Sequence, residues 1–266
     1  MNYGFIGLGN MAGAILAGMH GSGEFSGDRI YGFNRSEGKT LALKDSIGLI
    51  PCSSASEVVK NADVVVLAVK PQMMPRVLDE IAGLVKPAQT VMSIAAGLPL
   101  SRYEERFAQG VPVVRIMPNI NAKVKAAVVA VCGGKYAGEE NVALAEKVFG
   151  TVGRTFRIEE NMFGAFSAIG GASGAFVYLY IDALADAGVK AGFPRAFAVE
   201  LATGTVLGSA KLVQETGEHP IALCNQVCSP GGTTIEGVLK LKELGFESAV
   251  QQAVQAIIDK DEKLGK

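Results

Sequence analysis

Gly7-Leu8-Gly9-Asn10-Met11-Ala12 follows directly on a short apolar run, residues 3–6, and opens a second apolar segment, residues 11–19. The pattern is G-x-G-x-x-A set between an expected strand and an expected helix. In that setting it reads as a dinucleotide-binding fingerprint. The first glycine permits a tight turn, the second lets backbone approach a pyrophosphate, and Ala12 allows close helix–strand packing. The helix start then offers amide donors to the phosphates. A glycine-rich turn that binds nothing is the weaker reading in this context.

The chain beyond the fingerprint agrees with it. Further strands are expected at residues 29–33, 64–69, 90–94, 111–117 and 127–131. Helices are expected at 37–44, 54–61 with Ser54 as N-cap, 75–85 and 139–149. Residues 64–69 (Val-Val-Val-Leu-Ala-Val) form an unbroken apolar run, typical of a strand covered on both faces. Strands alternating with helices predict a parallel sheet flanked by helices. No strand is expected from Met162 onward; residues 162–191, 195–215, 220–227, 233–244 and 246–264 all read as helices. The breaks fall at Gly192-Phe193-Pro194, at 217–220 and at Ser229-Pro230-Gly231-Gly232. The expected class is α/β: an N-terminal doubly wound, Rossmann-type parallel sheet over residues 1–158 that binds NADP(H), then an all-α domain over 159–266.

The second strand's end selects the cofactor. NAD enzymes usually carry Asp or Glu there for the ribose 2′-hydroxyl. This chain has Asn34-Arg35-Ser36 instead. No carboxylate repels a 2′-phosphate, and Arg35 can make a charge-assisted bond to one. NADPH is therefore expected in preference to NADH. Strand C-termini line the ligand crevice of such a sheet. Ala68-Val69-Lys70-Pro71 and Ala95-Ala96-Gly97 end two later strands, and their small residues let a flat ring lie against backbone.

Ser229-Pro230-Gly231-Gly232-Thr233-Thr234 precedes an amphipathic stretch with Ile235, Val238, Leu239 and Leu244. Two glycines and three hydroxyls at a helix start suit a small carboxylate better than a simple cap would. Cys224 and Cys228 lie i, i+4 with His219 nearby, but zinc needs a fourth ligand, and no metal is expected. With two histidines and no G-x-S-x-G, a Ser-His-Asp hydrolase is disfavoured.

Lys and Arg number 25 against 26 Asp and Glu, which leaves no basic field for nucleic acid or anionic lipid. Four cysteines in 266 residues make no disulfide framework. The N-terminus lacks the charged region and cleavage site of a signal peptide. Residues 162–181 are uncharged over the length of a membrane span. Glycines and serines run through them and no Lys or Arg cluster flanks them, so a buried or subunit-interface helix is expected, and the compartment is the cytoplasm.

These residues, taken together, resemble the pyrroline-5-carboxylate reductase family nearly end to end. The resemblance rests on Gly7-Leu8-Gly9-Asn10-Met11, Ala68-Val69-Lys70-Pro71, Ala95-Ala96-Gly97, Arg115-Ile116-Met117-Pro118-Asn119, Asp182-Ala183-Leu184-Ala185-Asp186 and, most specifically, Ser229-Pro230-Gly231-Gly232-Thr233-Thr234. It implies NAD(P)H-dependent reduction of the cyclic imine 1-pyrroline-5-carboxylate to L-proline. It also implies interlocked helical domains in a homodimer, with larger rings of dimers in some members. Carried over by the resemblance, Ser229, Gly232 and Thr233 hold the substrate carboxylate, Thr234 protonates the ring nitrogen, and Glu160 lies near the substrate ring. The chain departs from the family at Gly171-Ala172-Ser173-Gly174-Ala175-Phe176, where Gly-Ser-Gly-Pro-Ala-Tyr/Phe is usual, and at Gln226, where Asn is frequent.

Reducing an iminium needs little acid–base machinery, which fits the scarcity of histidine. Two alternatives remain at this level. One is a 3-hydroxy-acid dehydrogenase, disfavoured because the glycine-rich helix carries only Lys190, near its end. The other is a non-catalytic NADP(H)-sensing protein, which would have no use for Thr233-Thr234.

Overall fold

The computed structural model describes residues 1–264, with side chains to residue 261. Eight strands form one sheet: β1 (Asn2–Ile6), β2 (Arg29–Phe33), β3 (Ile50–Pro51), β4 (Val64–Leu67), β5 (Thr90–Ser93), β6 (Val113–Met117), β7 (Ala127–Gly133) and β8 (Gly153–Arg157). Their order is β3-β2-β1-β4-β5-β6-β7-β8. Order reverses on either side of β1, which pairs in parallel with β2 and β4. That reversal opens a crevice at the strands' C-terminal edge.

Only β6 and β7 run antiparallel. Residues 118–126 join them, too short for the crossover helix that a parallel pair needs.

The sheet carries a core on each face. Val64 and Val66 of β4 sit in one, with Phe5, Met92 and Ile116; Val65 and Leu67 sit in the other, with Ile6, Val91 and Val113. The unbroken apolar run of β4 is the sequence's record of this double burial. Helices α1 (Asn10–Ser22) and α6 (Glu139–Gly150) cover the first face. Helices α3 (Ala55–Asn61), α4 (Met74–Ile81) and α5 (Ser101–Glu104) cover the second. Helix α2 (Glu37–Ile47) follows β2. Ser54 does cap α3, accepting from the Glu57 N–H at 3.1 Å, a bond typically worth about 1 kcal/mol.

Three local expectations are corrected. Strand β3 is two residues long and its residues are exposed, so it leaves no hydrophobic pattern. Strand β8 is an edge strand with exposed Arg154 and Arg157, so it too lacks an apolar run. Its Gly153 lies so close to the Ala127 backbone that no Cβ would fit. The expected single helix over 162–191 is instead broken. Helix α7 (Phe163–Phe166) runs into a π-turn, Ser167–Ala172, before α8 (Gly174–Lys190). Gly170 and Gly171 lie in the π-turn, and the Gly170 carbonyl accepts a 2.7 Å bond from the Asn119 amide.

The described residues divide into two compact units, residues 1–171 with 260–264, and residues 172–259. The second holds α8, α9 (Arg195–Thr216), α10 (Pro220–Val227), α11 (Thr233–Glu243) and most of α12 (Phe246–Leu264). It has no strand among the described residues. Helices α8 and α9 pack on each other, but much apolar surface stays uncovered in one chain: Leu179 is 70% exposed and Leu207 67%. Two helical stretches, Glu160–Lys190 and Arg195–Thr216, are long and apolar enough to cross a membrane. The core helix of a soluble protein passes the same length test.

Candidate active site

In the first unit a cleft of about 450 Å³ opens over the C-terminal edge of the sheet. Gly7, at φ +93°, makes the turn from β1 to α1. A Cβ there would stand 2.8 Å from the Ala68 carbonyl carbon and oxygen, so the turn rides directly on the end of β4. Around Gly9 the position of a Cβ is open space. Gly9 is also the N-cap of α1 and supplies no side-chain cap, which leaves the first-turn amides to an outside acceptor. The Leu8 side chain is buried, while its N–H donates to Asn34 Oδ1 at 3.1 Å. Asn34 also donates to the Ser36 carbonyl at 3.1 Å. One side chain thus joins the glycine turn to the end of β2.

Arg35, Ser36, Ala68, Val69 and Lys70 line the same cleft. Ser36 is the N-cap of α2 and makes no side-chain cap bond. Sequence reasoning missed two cations that reach this cleft, Lys39 on α2 and Arg76 on α4. The carboxylate in the lining, Glu80, accepts from the Ser56 N–H and hydroxyl at 3.1 and 3.2 Å. Arg35, Lys39, Lys70 and Arg76 form no ion pair among the described residues, so the cleft is strongly positive. A dinucleotide's diphosphate fits this arrangement: open backbone at Gly9, uncapped amides on α1, and cations along the wall.

Other expected residues lie apart from that cleft. Asn10 and Met11 line a smaller neighbouring cavity of about 280 Å³ with Ile120 and Lys123. Pro71 starts a 3₁₀ turn that leads into α4. After β5, Ala95 is buried, Ala96 is exposed and Gly97 turns at φ +74°. Glu160 is engaged within its own unit. Its Oε1 accepts from Arg115 at 2.9 Å and from the Leu100 N–H at 2.6 Å. Arg115 stacks over the Phe163 ring, 4.2 Å from its centre.

In the second unit Gly232 is the N-cap of α11, with no side-chain cap. Gly231 turns at φ +67°, and the Gly232 N–H donates to the Ser229 carbonyl at 3.0 Å. A Cβ on Gly232 would collide with the Ser229 hydroxyl. The glycine thus lets that hydroxyl sit beside the helix start. Ser229, Thr233 and Thr234 are exposed. Gln226 donates to Glu218 at 2.7 Å. No three-residue metal-binding group occurs among the described residues.

Comparison with known proteins agrees with this geometry. A family model described as pyrroline-5-carboxylate reductase dimerisation matches residues 160–264. Another, described as NADP oxidoreductase, coenzyme F420-dependent, matches residues 2–97. The pyrroline-5-carboxylate reductase of Escherichia coli K12 is 42% identical over 263 residues, covering 99% of this chain and 98% of that protein. The structure of the reductase from Coxiella burnetii superposes with a TM-score of 0.94 at 29% identity, covering 100% of this chain and 98% of that one. That of the Plasmodium falciparum enzyme with NADP bound superposes at 0.86 with 28% identity, covering 100% and 98%. The chain belongs to the pyrroline-5-carboxylate reductase family, and is an oxidoreductase that reduces 1-pyrroline-5-carboxylate to proline at the expense of a nicotinamide cofactor.

Proposed function

We propose that this reductase takes its hydride from NADPH in preference to NADH. The observation that carries the reading is the end of the cleft beyond β2. Arg35 and Lys39 stand there without ion-pair partners among the described residues, beside an α2 start whose Ser36 side chain makes no cap bond. No carboxylate follows Phe33 to favour a free ribose hydroxyl. Bound NADPH supplies the hydride; the chain's own residues orient, bind and protonate. Gly7, Leu8, Gly9, Asn10 and Met11 shape the turn for the diphosphate. Ala68 to Pro71 and Ala95 to Gly97 bound the strand ends where the ring lies.

Ser229, Gly232 and Thr233 bind the substrate carboxylate at the start of α11. Thr234 donates to the ring nitrogen as it becomes an amine. Glu160 serves as a positioning residue, holding the residue 100 loop to Arg115. The chain works as a homodimer through its helical unit, and rings of dimers are the larger form. The exposed apolar faces of α8 and α9 and the match to a dimerisation family support this. The compartment is the cytoplasm.

Steady-state NADPH and NADH oxidation with pyrroline-5-carboxylate tests the cofactor reading: a higher kcat/KM with NADPH is expected, and equal values overturn it. Sedimentation at assay concentration tests the assembly, which an active monomer would end.

A further inference from the structure

We propose that Thr40 is a further residue of cofactor choice: its hydroxyl donates to the 2′-phosphate that Arg35 binds, from a second cavity on the other side of Arg35. The proposal deepens the reading of the cofactor as NADPH and rests on it.

The second cavity, of about 490 Å³, adjoins the main cleft. Asn34 and Arg35 border both, so the end of β2 is the partition between them. Lys39 faces the main cleft and Thr40 the second cavity. Successive helix residues are turned about 100° from one another. Helix α2 thus sends Lys39 to one side of Arg35 and Thr40 to the other.

Most polar groups on the cavity wall are already committed. Asn34 accepts from the Leu8 N–H and donates to the Ser36 carbonyl. Ser53 donates its N–H and hydroxyl to Glu57, at 2.6 and 2.7 Å. Burial and nearby Glu57 push the Cys52 thiol up to about 11, so it stays neutral and a weak donor. Two strong donors remain, the Arg35 guanidinium and the Thr40 hydroxyl.

Thr40 is 6% exposed, and its hydroxyl makes no hydrogen bond among the described residues. A threonine inside a helix commonly donates to the carbonyl four residues back. Thr205 and Thr216 do so, at 2.9 and 2.8 Å. The matching acceptor for Thr40 is the Ser36 carbonyl, which takes the Asn34 amide instead. A buried hydroxyl without a partner costs stability. An acceptor arriving with the cofactor recovers that cost. A phosphate has oxygens enough to take the guanidinium and the hydroxyl together. Glu37 also borders the cavity, in the exposed first turn of α2, where water screens its charge and Arg35 offsets it.

The test is calorimetric titration of the full-length enzyme with 2′,5′-ADP and with 5′-AMP. Thr40→Val removes the hydroxyl and keeps the branched shape. It should weaken 2′,5′-ADP about tenfold, the low end for a hydrogen bond to a charged group, and leave 5′-AMP unmoved. Thr40→Ser should restore most of the loss, and KM for NADPH should follow the same order. Without ligand, Thr40→Val should melt no lower than wild type, because no bond is lost. Equal weakening of both ligands overturns the proposal, and so does an unchanged affinity for 2′,5′-ADP. A destabilised or unfolded Thr40→Val also overturns it, since the hydroxyl would then be serving the fold. Arg35→Ala separates the two readings. If it loses 2′,5′-ADP selectively while Thr40→Val does not, the phosphate reading stands and the role of Thr40 falls. If wild type binds both ligands alike, both fall.

Discussion

Glu160 and Arg115 form a clamp across the end of the sheet: one carboxylate oxygen accepts both the guanidinium at 2.9 Å and the Leu100 N–H at 2.6 Å. The Arg115 side chain is 13% exposed and the Glu160 side chain 34%. Removing the acid leaves a nearly buried cation and a backbone N–H without their acceptor. Glu160→Ala should cost about 1–3 kcal/mol, less than a fully buried pair because water reaches the carboxylate. Denaturant melts of the variant measure this. Glu160→Gln keeps an acceptor for Leu100 and should fall between. If instead both variants melt like wild type and only the substrate KM rises, Glu160 acts on substrate directly.

Cofactor choice is tested at the other end of the cleft. Arg35→Ala removes the charge-assisted bond proposed for a 2′-phosphate, a bond of about 1–3 kcal/mol. KM for NADPH should rise roughly 5- to 150-fold on that scale, with that for NADH nearly unmoved. Lys39→Ala should act in the same direction and more weakly, because a flexible ammonium lacks the planar fork of arginine. Titration with 2′,5′-ADP against 5′-AMP gives a readout independent of turnover. Equal losses for both ligands would remove Arg35 and Lys39 from phosphate recognition.

How far the sequence carried depends on what was local. The glycine turn, the Ser54 cap and the doubly buried β4 are written in consecutive residues, and all three are in place. Lys39 and Arg76 were illegible as cleft residues. Which face of α2 or α4 meets the strand ends is fixed by packing against the sheet, not by neighbours in the chain. The π-turn at Ser167–Ala172 was equally hidden: nothing nearby in sequence shows that Asn119 will engage the Gly170 carbonyl. Glu160 was found as a notable acid through resemblance, but its partners lie 45 and 60 residues away.

Tyr3 sets an alkaline limit. Its ring is buried edge-on against Phe25, and burial with nearby Asp28 and Asp63 pushes its hydroxyl up to about 12. An unfolded tyrosine ionises near 10. Between those values the unfolded chain has lost a proton that the folded chain keeps. Stability from this group is therefore complete below pH 10 and falls as pH rises toward 12, by at most about 1.4 kcal/mol per pH unit. Tyr3→Phe should lose stability less steeply over the same range. Parallel slopes in melts from pH 9 to 12 would show that Tyr3 does not set the limit.

Thr234 and Ser229 should fail in different ways. Ser229 lies beside the uncapped start of α11, the place proposed for the substrate carboxylate, a group that keeps its charge from binding through product. An interaction equal in ground and transition states affects binding alone. Ser229→Ala should therefore raise the substrate KM with kcat little changed. Thr234 carries the hydroxyl proposed for the ring nitrogen, whose proton demand grows as the imine becomes an amine. A donor that matters most at the transition state shows itself in kcat. General-acid help is typically worth about 10²–10⁴-fold, and the low end is expected because Thr234 is exposed and water can partly replace it. Thr234→Ala should leave NADPH binding intact, and Thr234→Ser should recover most of the rate. Wild-type kcat in Thr234→Ala, with substrate bound poorly, would make the hydroxyl a binding group and move the proton source elsewhere.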